Sequence, residues 1–234
     1  MKSSGGRQLV LDLPTRTALG RDDFLVTQSN AAAVAVIDLY PSWPSHGVVL
    51  VGDRGSGKTH LLEVWRQRSG ARILNAADVS SEPPDTLLAD GALAIDQAPG
   101  ADLDERALFH VLNYARQTGG HVLLASDADP VRWHTSLPDL KSRLQALPVA
   151  KLHPPDDVLL RGVLVKLFGD RQLSIEESVI SYLMLRMPRS LEAARALVGA
   201  MDRLALAEKV PVTRGLAARA LDDFAQPGFF GDIG

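Results

Sequence analysis

The sequence predicts an α/β fold: a parallel sheet covered by helices on both faces, followed by a smaller all-helical domain. Three observations carry this. From Val48 to Leu152, short apolar runs alternate with helical patterns, which is the signature of repeated βα units. The first apolar run leads directly into "GDRGSGKT", a complete G-x-x-x-x-G-K-[ST] loop at Gly52–Thr59. Beyond His153 only helical spacing remains.

The elements follow in order. "MKSSGG" reads as a flexible lead-in, "RQLVLDLP" follows it, and a polar stretch runs to Asp23. Ser29–Asp38 has an N-cap-like start and good helix formers, and "PSWPS" ends it. Strands are expected at Val48–Val51, Arg72–Asn75, Ala92–Ile95, His121–Ala125 and Val149–Leu152, with helices at Lys58–Arg68 and Leu103–Gln117 between them. Two prolines near His153–Asp157 mark a boundary. The pieces "DDVLLRGVLVKLF", "SIEESVISYLMLRM", "RSLEAARALVGAMDRLALAEK" and "TRGLAARALDDF" then place apolar residues at helical spacing.

Composition narrows the class. With 46% hydrophobic and 23% charged residues the chain of 234 residues is ordinary globular protein. It has no cysteine, which excludes disulfides and thiolate metal sites and fits a reducing compartment. A net charge of −3 does not indicate a strongly cationic nucleic-acid binder. No membrane-spanning run and no secretion signal are evident, so a cytoplasmic protein with no membrane partner is expected.

The glycine-rich loop has a chemical reading. Its glycines let backbone N–H groups turn inward onto phosphate oxygens, and the following helix aims its N-terminus at the same anion. Lys58 would reach the β- and γ-phosphates, and Thr59 would offer a hydroxyl to Mg²⁺. Gly52, Asp53, Arg54, Gly55, Ser56, Gly57, Lys58, Thr59 and His60 are therefore the nucleotide-binding candidates, with ATP or ADP as ligand. Asp96, ending the strand "ALAID", is a second Mg²⁺ candidate; the alternative is an Asp that merely ends a strand. Gln97 follows it where many ATPases of this class have a glutamate. Glutamine can bond a water but cannot take its proton, so slow intrinsic hydrolysis is expected. Ser126 and Asp127 end the next strand, either facing the γ-phosphate or simply as polar strand ends. Arg143 and Arg189, taken alone, read as ordinary helix arginines.

Together these motifs, "GDRGSGKTHLLE", "AIDQ", "LLASDADP", "LPDLKSRL" and "PRSLEAA", resemble a known family. The chain is similar to the AAA+ portion of the replication initiator DnaA and, more closely, to the DnaA-related Hda regulators in their alphaproteobacterial form. The resemblance covers about Gln8 to Phe224; the loop is common to many families, while "SDADP" with "LPDLKSRL" is more specific. It implies an AAA+ P-loop base over 23–153 and a helical lid over 154–226, with a tail at 227–234. It places sensor 1 at Ser126–Asp127, an arginine finger at Arg143 and the sensor 2 arginine at Arg189. It also gives residues 1–22 a role: Gln8, Leu9, Leu11 and Leu13 resemble a sliding-clamp-binding peptide, against the alternative of an edge strand. Two departures stand out. Gln97 stands in place of the catalytic glutamate, which DnaA relatives also commonly lack, and the stretch from Ile73 to Ala92 is short and proline-bearing.

The function so implied is a regulator of replication initiation. On the DNA-loaded β sliding clamp of DNA polymerase III, Hda-type proteins stimulate ATP hydrolysis by DnaA, with ADP holding the regulator active. DNA is then met indirectly through the clamp, and self-association as a homodimer or higher oligomer is compatible with this. The sequence ends at "FAQPGFFGDIG", where an initiator would continue into a DNA-binding domain. The rival readings are a DnaC-type helicase loader binding single-stranded DNA and a small-molecule P-loop kinase. Sparse aromatics, 5% of the chain, disfavour the loader.

Overall fold

A computed structural model describes residues 25–224. They fall into two compact units, divided between Pro154 and Pro155.

The first unit is a five-stranded sheet in the order β2-β3-β4-β1-β5. Its strands are β1 (Gly47–Val51), β2 (Arg72–Asn75), β3 (Ala92–Ala98), β4 (His121–Ser126) and β5 (Val149–Lys151). Every pairing is parallel, with Val51 opposite Ser126 on one side and Lys151 on the other. Strand periodicity sorts the side chains between two cores. Val48, Leu50, Ala94, Leu123 and Ala125 face α1 (Ala31–Asp38) and α2 (Lys58–Ser69), where Ile37, Leu61, Leu62 and Trp65 are buried. Val49, Leu93, Ile95, Val122 and Leu124 face α3 (Pro84–Leu87), α4 (Glu105–Thr118) and α5 (Pro138–Gln145), through Leu87, Leu108, Val111, Leu140 and Leu144. Burial on both faces is why these strands read as continuous apolar runs rather than alternating ones.

Several boundaries differ from the sequence expectation, each for a local reason. α1 starts at Ala31, because the Asn30 side chain accepts from Thr27 N at 2.8 Å and donates to Leu25 O at 2.9 Å instead of capping a helical N–H. α4 starts at Glu105, because Asp104 caps it by accepting from Arg106 N at 2.9 Å and Ala107 N at 3.0 Å. The strand expected to end at Ile95 runs on to Ala98 through a register shift, with Gln97 at φ 59°. The short helix α3 had no helical pattern in the sequence.

The second unit consists, among the described residues, of α6 (Asp157–Asp170), α7 (Glu177–Arg186), α8 (Leu191–Glu208) and α9 (Arg214–Phe224). Asp156 caps α6 through Leu159 N at 2.8 Å, and Ser190 caps α8 through Ala193 N at 3.0 Å. Leu160, Leu164, Phe168, Ile180, Leu183, Leu197, Val198, Met201 and Ala217 form its buried interior.

Candidate nucleotide site

The glycine loop leaves β1 in the interior of the sheet, at the carboxyl end of the strands, where ligands bind in open parallel sheets. Gly52 is packed too closely for any side chain. A Cβ there would lie 2.6 Å from Ser56 Oγ and 2.9 Å from both Leu152 Cβ and Leu152 O. Gly55 (φ 76°) and Gly57 (φ 106°) supply the left-handed turns that bring the chain into α2.

Lys58 folds back across this loop. Its Nζ donates to Gly52 O at 2.7 Å, to Asp53 O at 3.0 Å and to Asp127 Oδ1 at 2.5 Å. The lysine side chain is 10% exposed and that of Asp127 is 69% exposed, so the pair spans from the loop's interior to its surface. Thr59 Oγ1 donates to Asp96 Oδ2 at 2.8 Å, and Gln97 N donates to Asp96 Oδ1 at 2.8 Å. A threonine hydroxyl beside a buried carboxylate is a hard-oxygen pair suited to Mg²⁺. Asp53 and Arg54 are exposed, and His60 is half-buried. Ser56 is buried, and its Oγ has no hydrogen-bond partner among the described residues.

The end of β4 is more specific than the sequence implied. Ser126 is fully buried, and its hydroxyl donates to Ala128 O at 2.7 Å and accepts from Ala128 N at 3.0 Å. It is occupied in shaping the turn, and Asp127 is the residue that reaches Lys58. An open polar cavity of about 550 Å³ continues the site beside Gly52 and Asp53, along Asp127, Asp129, Arg132 and Lys151. Of these, Asp129, Arg132 and Lys151 carried no sequence signal.

Of the two candidate arginines, Arg143 lies away from the loop in the first unit, and Arg189 belongs to the second. Arg143 sits in the last turn of α5, half-buried, with its guanidinium carbon 5.5 Å from the centroid of the Phe109 ring. It shares a cavity with His46 and Gly47, at the start of β1. The loop leaves the far end of that strand, a rise of roughly 13 Å away. Glu105 fixes the approach to α5, its carboxylate accepting from Ser136 N at 2.9 Å and Leu137 N at 3.0 Å. Arg189, expected to begin a helix, instead lies in the turn before the cap residue Ser190, where it pairs with Asp157 of α6. The clamp-peptide candidates Gln8, Leu9, Leu11 and Leu13 lie outside the described residues. Among the described residues no helix is long and apolar enough to cross a membrane.

No family profile matches the chain. Its sequence is similar to DnaA initiators. That of Thermomicrobium roseum is 28% identical over 219 residues, covering 82% of this chain and 46% of the relative. That of Chloroflexus aggregans is 26% identical over 259 aligned positions, covering 94% and 53%. The chain thus spans about half the length of the curated relatives it matches. Among solved structures, domain III of Thermotoga maritima DnaA superposes with a TM-score of 0.71 at 21% identity, covering 87% of this chain and 95% of that one. A DnaA bound to AMPPCP and single-stranded DNA superposes with a TM-score of 0.64 at 18% identity, covering 91% and 70%. The chain therefore has the AAA+ fold of DnaA domain III, and its sequence is similar to DnaA initiators over about half their length.

Proposed function

We propose that this chain binds an adenine nucleotide on the Gly52–Thr59 loop, ADP in its active form, and acts in the cytoplasm as a regulator of replication initiation. Seated on the DNA-loaded β sliding clamp through Gln8, Leu9, Leu11 and Leu13, it stimulates ATP hydrolysis by DnaA. One observation carries the reading: Arg143 lies at the opposite end of β1 from the chain's own phosphate loop. A guanidinium there is out of reach of its own nucleotide and available to another protein's. The sequence relation to DnaA, and the AMPPCP-bound state of a DnaA of the same fold, support the nucleotide and the AAA+ partner.

In this reading Lys58 meets the terminal phosphates, exchanging its bond to Asp127 for the nucleotide, and Thr59 and Asp96 would hold Mg²⁺. Such a cation would supply positive charge to offset that of the phosphates. Gln97 orients a water without deprotonating it, so the chain itself turns over slowly. Arg189, which pairs with Asp157 within the helical unit, is the candidate nucleotide sensor. Arg143 is presented to the γ-phosphate on DnaA, where it stabilises charge developing on the transferred phosphoryl group. Fingers of this kind are worth about 10³–10⁵ in rate in GTPase systems.

The test is single-turnover hydrolysis of DnaA-bound ATP with loaded clamp, comparing wild type with Arg143→Ala and Gln8→Ala. Loss of stimulation in both is expected, with clamp co-elution lost only in the second. Stimulation by Arg143→Ala at the wild-type rate refutes the finger. If wild type binds the clamp and does not stimulate, the regulator reading itself falls.

A further inference from the structure

Arg143 is not alone in its cavity. The space is about 620 Å³, within the range of ligand sites, and Arg116 of α4 lines it too. Its apolar wall includes Phe109, Leu112 and Leu147, and Asp139 is its one acid. Phe109, Leu112 and Arg116 stand at i, i+3 and i+7 on α4, which places them on one stripe of the helix.

The two arginines are poorly matched by the fold. Arg143 Nε is buried and has no hydrogen-bond partner among the described residues. An unmet buried donor is costly. Asp139, one turn earlier on the same helix, forms no ion pair with Arg143. Arg116 is exposed, and no carboxylate among the described residues pairs with it. Its place in the last turn of α4 suits the helix dipole. That accounts for a cation at this end of the helix but not for its facing the same cavity as Arg143. The cavity thus gathers two cations against one acid, with one guanidinium carbon 5.5 Å from the Phe109 ring centroid and its inner N–H without a partner among the described residues. A multiply charged anion with several oxygens suits two cations lining one cavity, since guanidinium groups take phosphate oxygens in pairs through their outer N–H groups.

We propose that Arg116 is a second cation of the trans site, contacting, with Arg143, the terminal phosphates of a nucleoside triphosphate seated on a partner's own P-loop. The proposal rests on the reading of Arg143 as a finger. Arg116 carries the second charge, and Phe109 is the platform that orients the first.

The experiment uses the full chain, DNA-loaded clamp and DnaA carrying γ-labelled ATP, in single turnover against DnaA concentration. Wild type is compared with Arg116→Ala, Arg116→Lys and Arg143→Ala. Arg116→Ala is expected to lower the maximal rate about tenfold, leaving the half-saturating DnaA concentration, clamp binding and melting temperature unchanged. Arg116→Lys should recover most of the rate, because a phosphate also accepts lysine as a point charge. If Arg143→Ala abolishes stimulation and Arg116→Ala runs at the wild-type rate, the second cation is refuted while the finger stands. If both alanine variants run at the wild-type rate, both readings fall. A change confined to half-saturation makes Arg116 a rim docking contact, and a fall in melting temperature without rescue by lysine makes it structural. Either overturns the proposal.

Discussion

Gly52→Ala is the smallest change that tests how the phosphate loop is built. The new methyl would lie 2.6 Å from Ser56 Oγ and 2.9 Å from Leu152 Cβ and O. The serine hydroxyl can rotate away. Leu152 cannot, because its N–H donates to Val51 O at 2.7 Å and ties the end of β5 to β1. The loop must therefore move by several tenths of an ångström, while Gly52 N is itself bonded to Ser126 O at 3.1 Å. Overpacking of this kind costs about 1–3 kcal/mol, or roughly 3–10 °C in melting temperature for a unit of this size. Displaced loop amides no longer converge on phosphate, so ADP affinity should fall more than about tenfold. Urea denaturation at constant slope gives the first quantity and calorimetric titration gives the second. Gly70→Ala is the control. Gly70 has φ +74°, and nothing lies within 4 Å of the place its methyl group would take. The change should therefore cost about 1 kcal/mol through the backbone alone and leave ADP affinity intact. A Gly52→Ala protein with wild-type stability refutes the packing argument. One that is destabilised yet binds ADP normally refutes the assignment of the loop.

Lys58→Ala should weaken ADP about ten- to hundredfold, the worth of one charge-assisted contact; unchanged affinity by calorimetry counts against the site. Gln97→Gly should stabilise the protein by about 0.5–1 kcal/mol, because Gln97 adopts φ 59°, a region costly for any residue with a Cβ; an unchanged urea midpoint refutes this. His121 gives a pH dependence. Burial pushes its pKa below the ordinary 6.5, the neighbouring His46 adds to the shift, and a hydrogen bond with the Pro41 backbone opposes it. The unfolded chain therefore takes up this proton first, so stability is lost as pH falls from about 6.5 towards the lower folded value and levels off below it. His121→Gln should flatten that window, and an unaltered slope between wild type and variant removes His121 as its source.

Much of this protein is legible from local chemistry. The phosphate loop can be read because its glycines, lysine and threonine are neighbours in sequence and its function is a backbone conformation. The parallel sheet can be read because strands buried on both faces must be apolar throughout. The change to helical periodicity after His153 likewise marks the second unit. Tertiary structure decided whatever depends on distant residues meeting. Sheet order brings Asp127 to Lys58, 69 positions earlier, while Ser126, its equally plausible neighbour in sequence, turns into the interior. Packing of Leu152, just after β5, against the loop leaves no room for a side chain at Gly52, a contact between residues 100 positions apart that spacing does not show. The seat of Arg143 on Phe109, beside Arg116 and at the far end of β1, follows from how α4 and α5 cover one face of the sheet. Spacing along a chain records which face a residue takes, but only the fold determines which other residues share it.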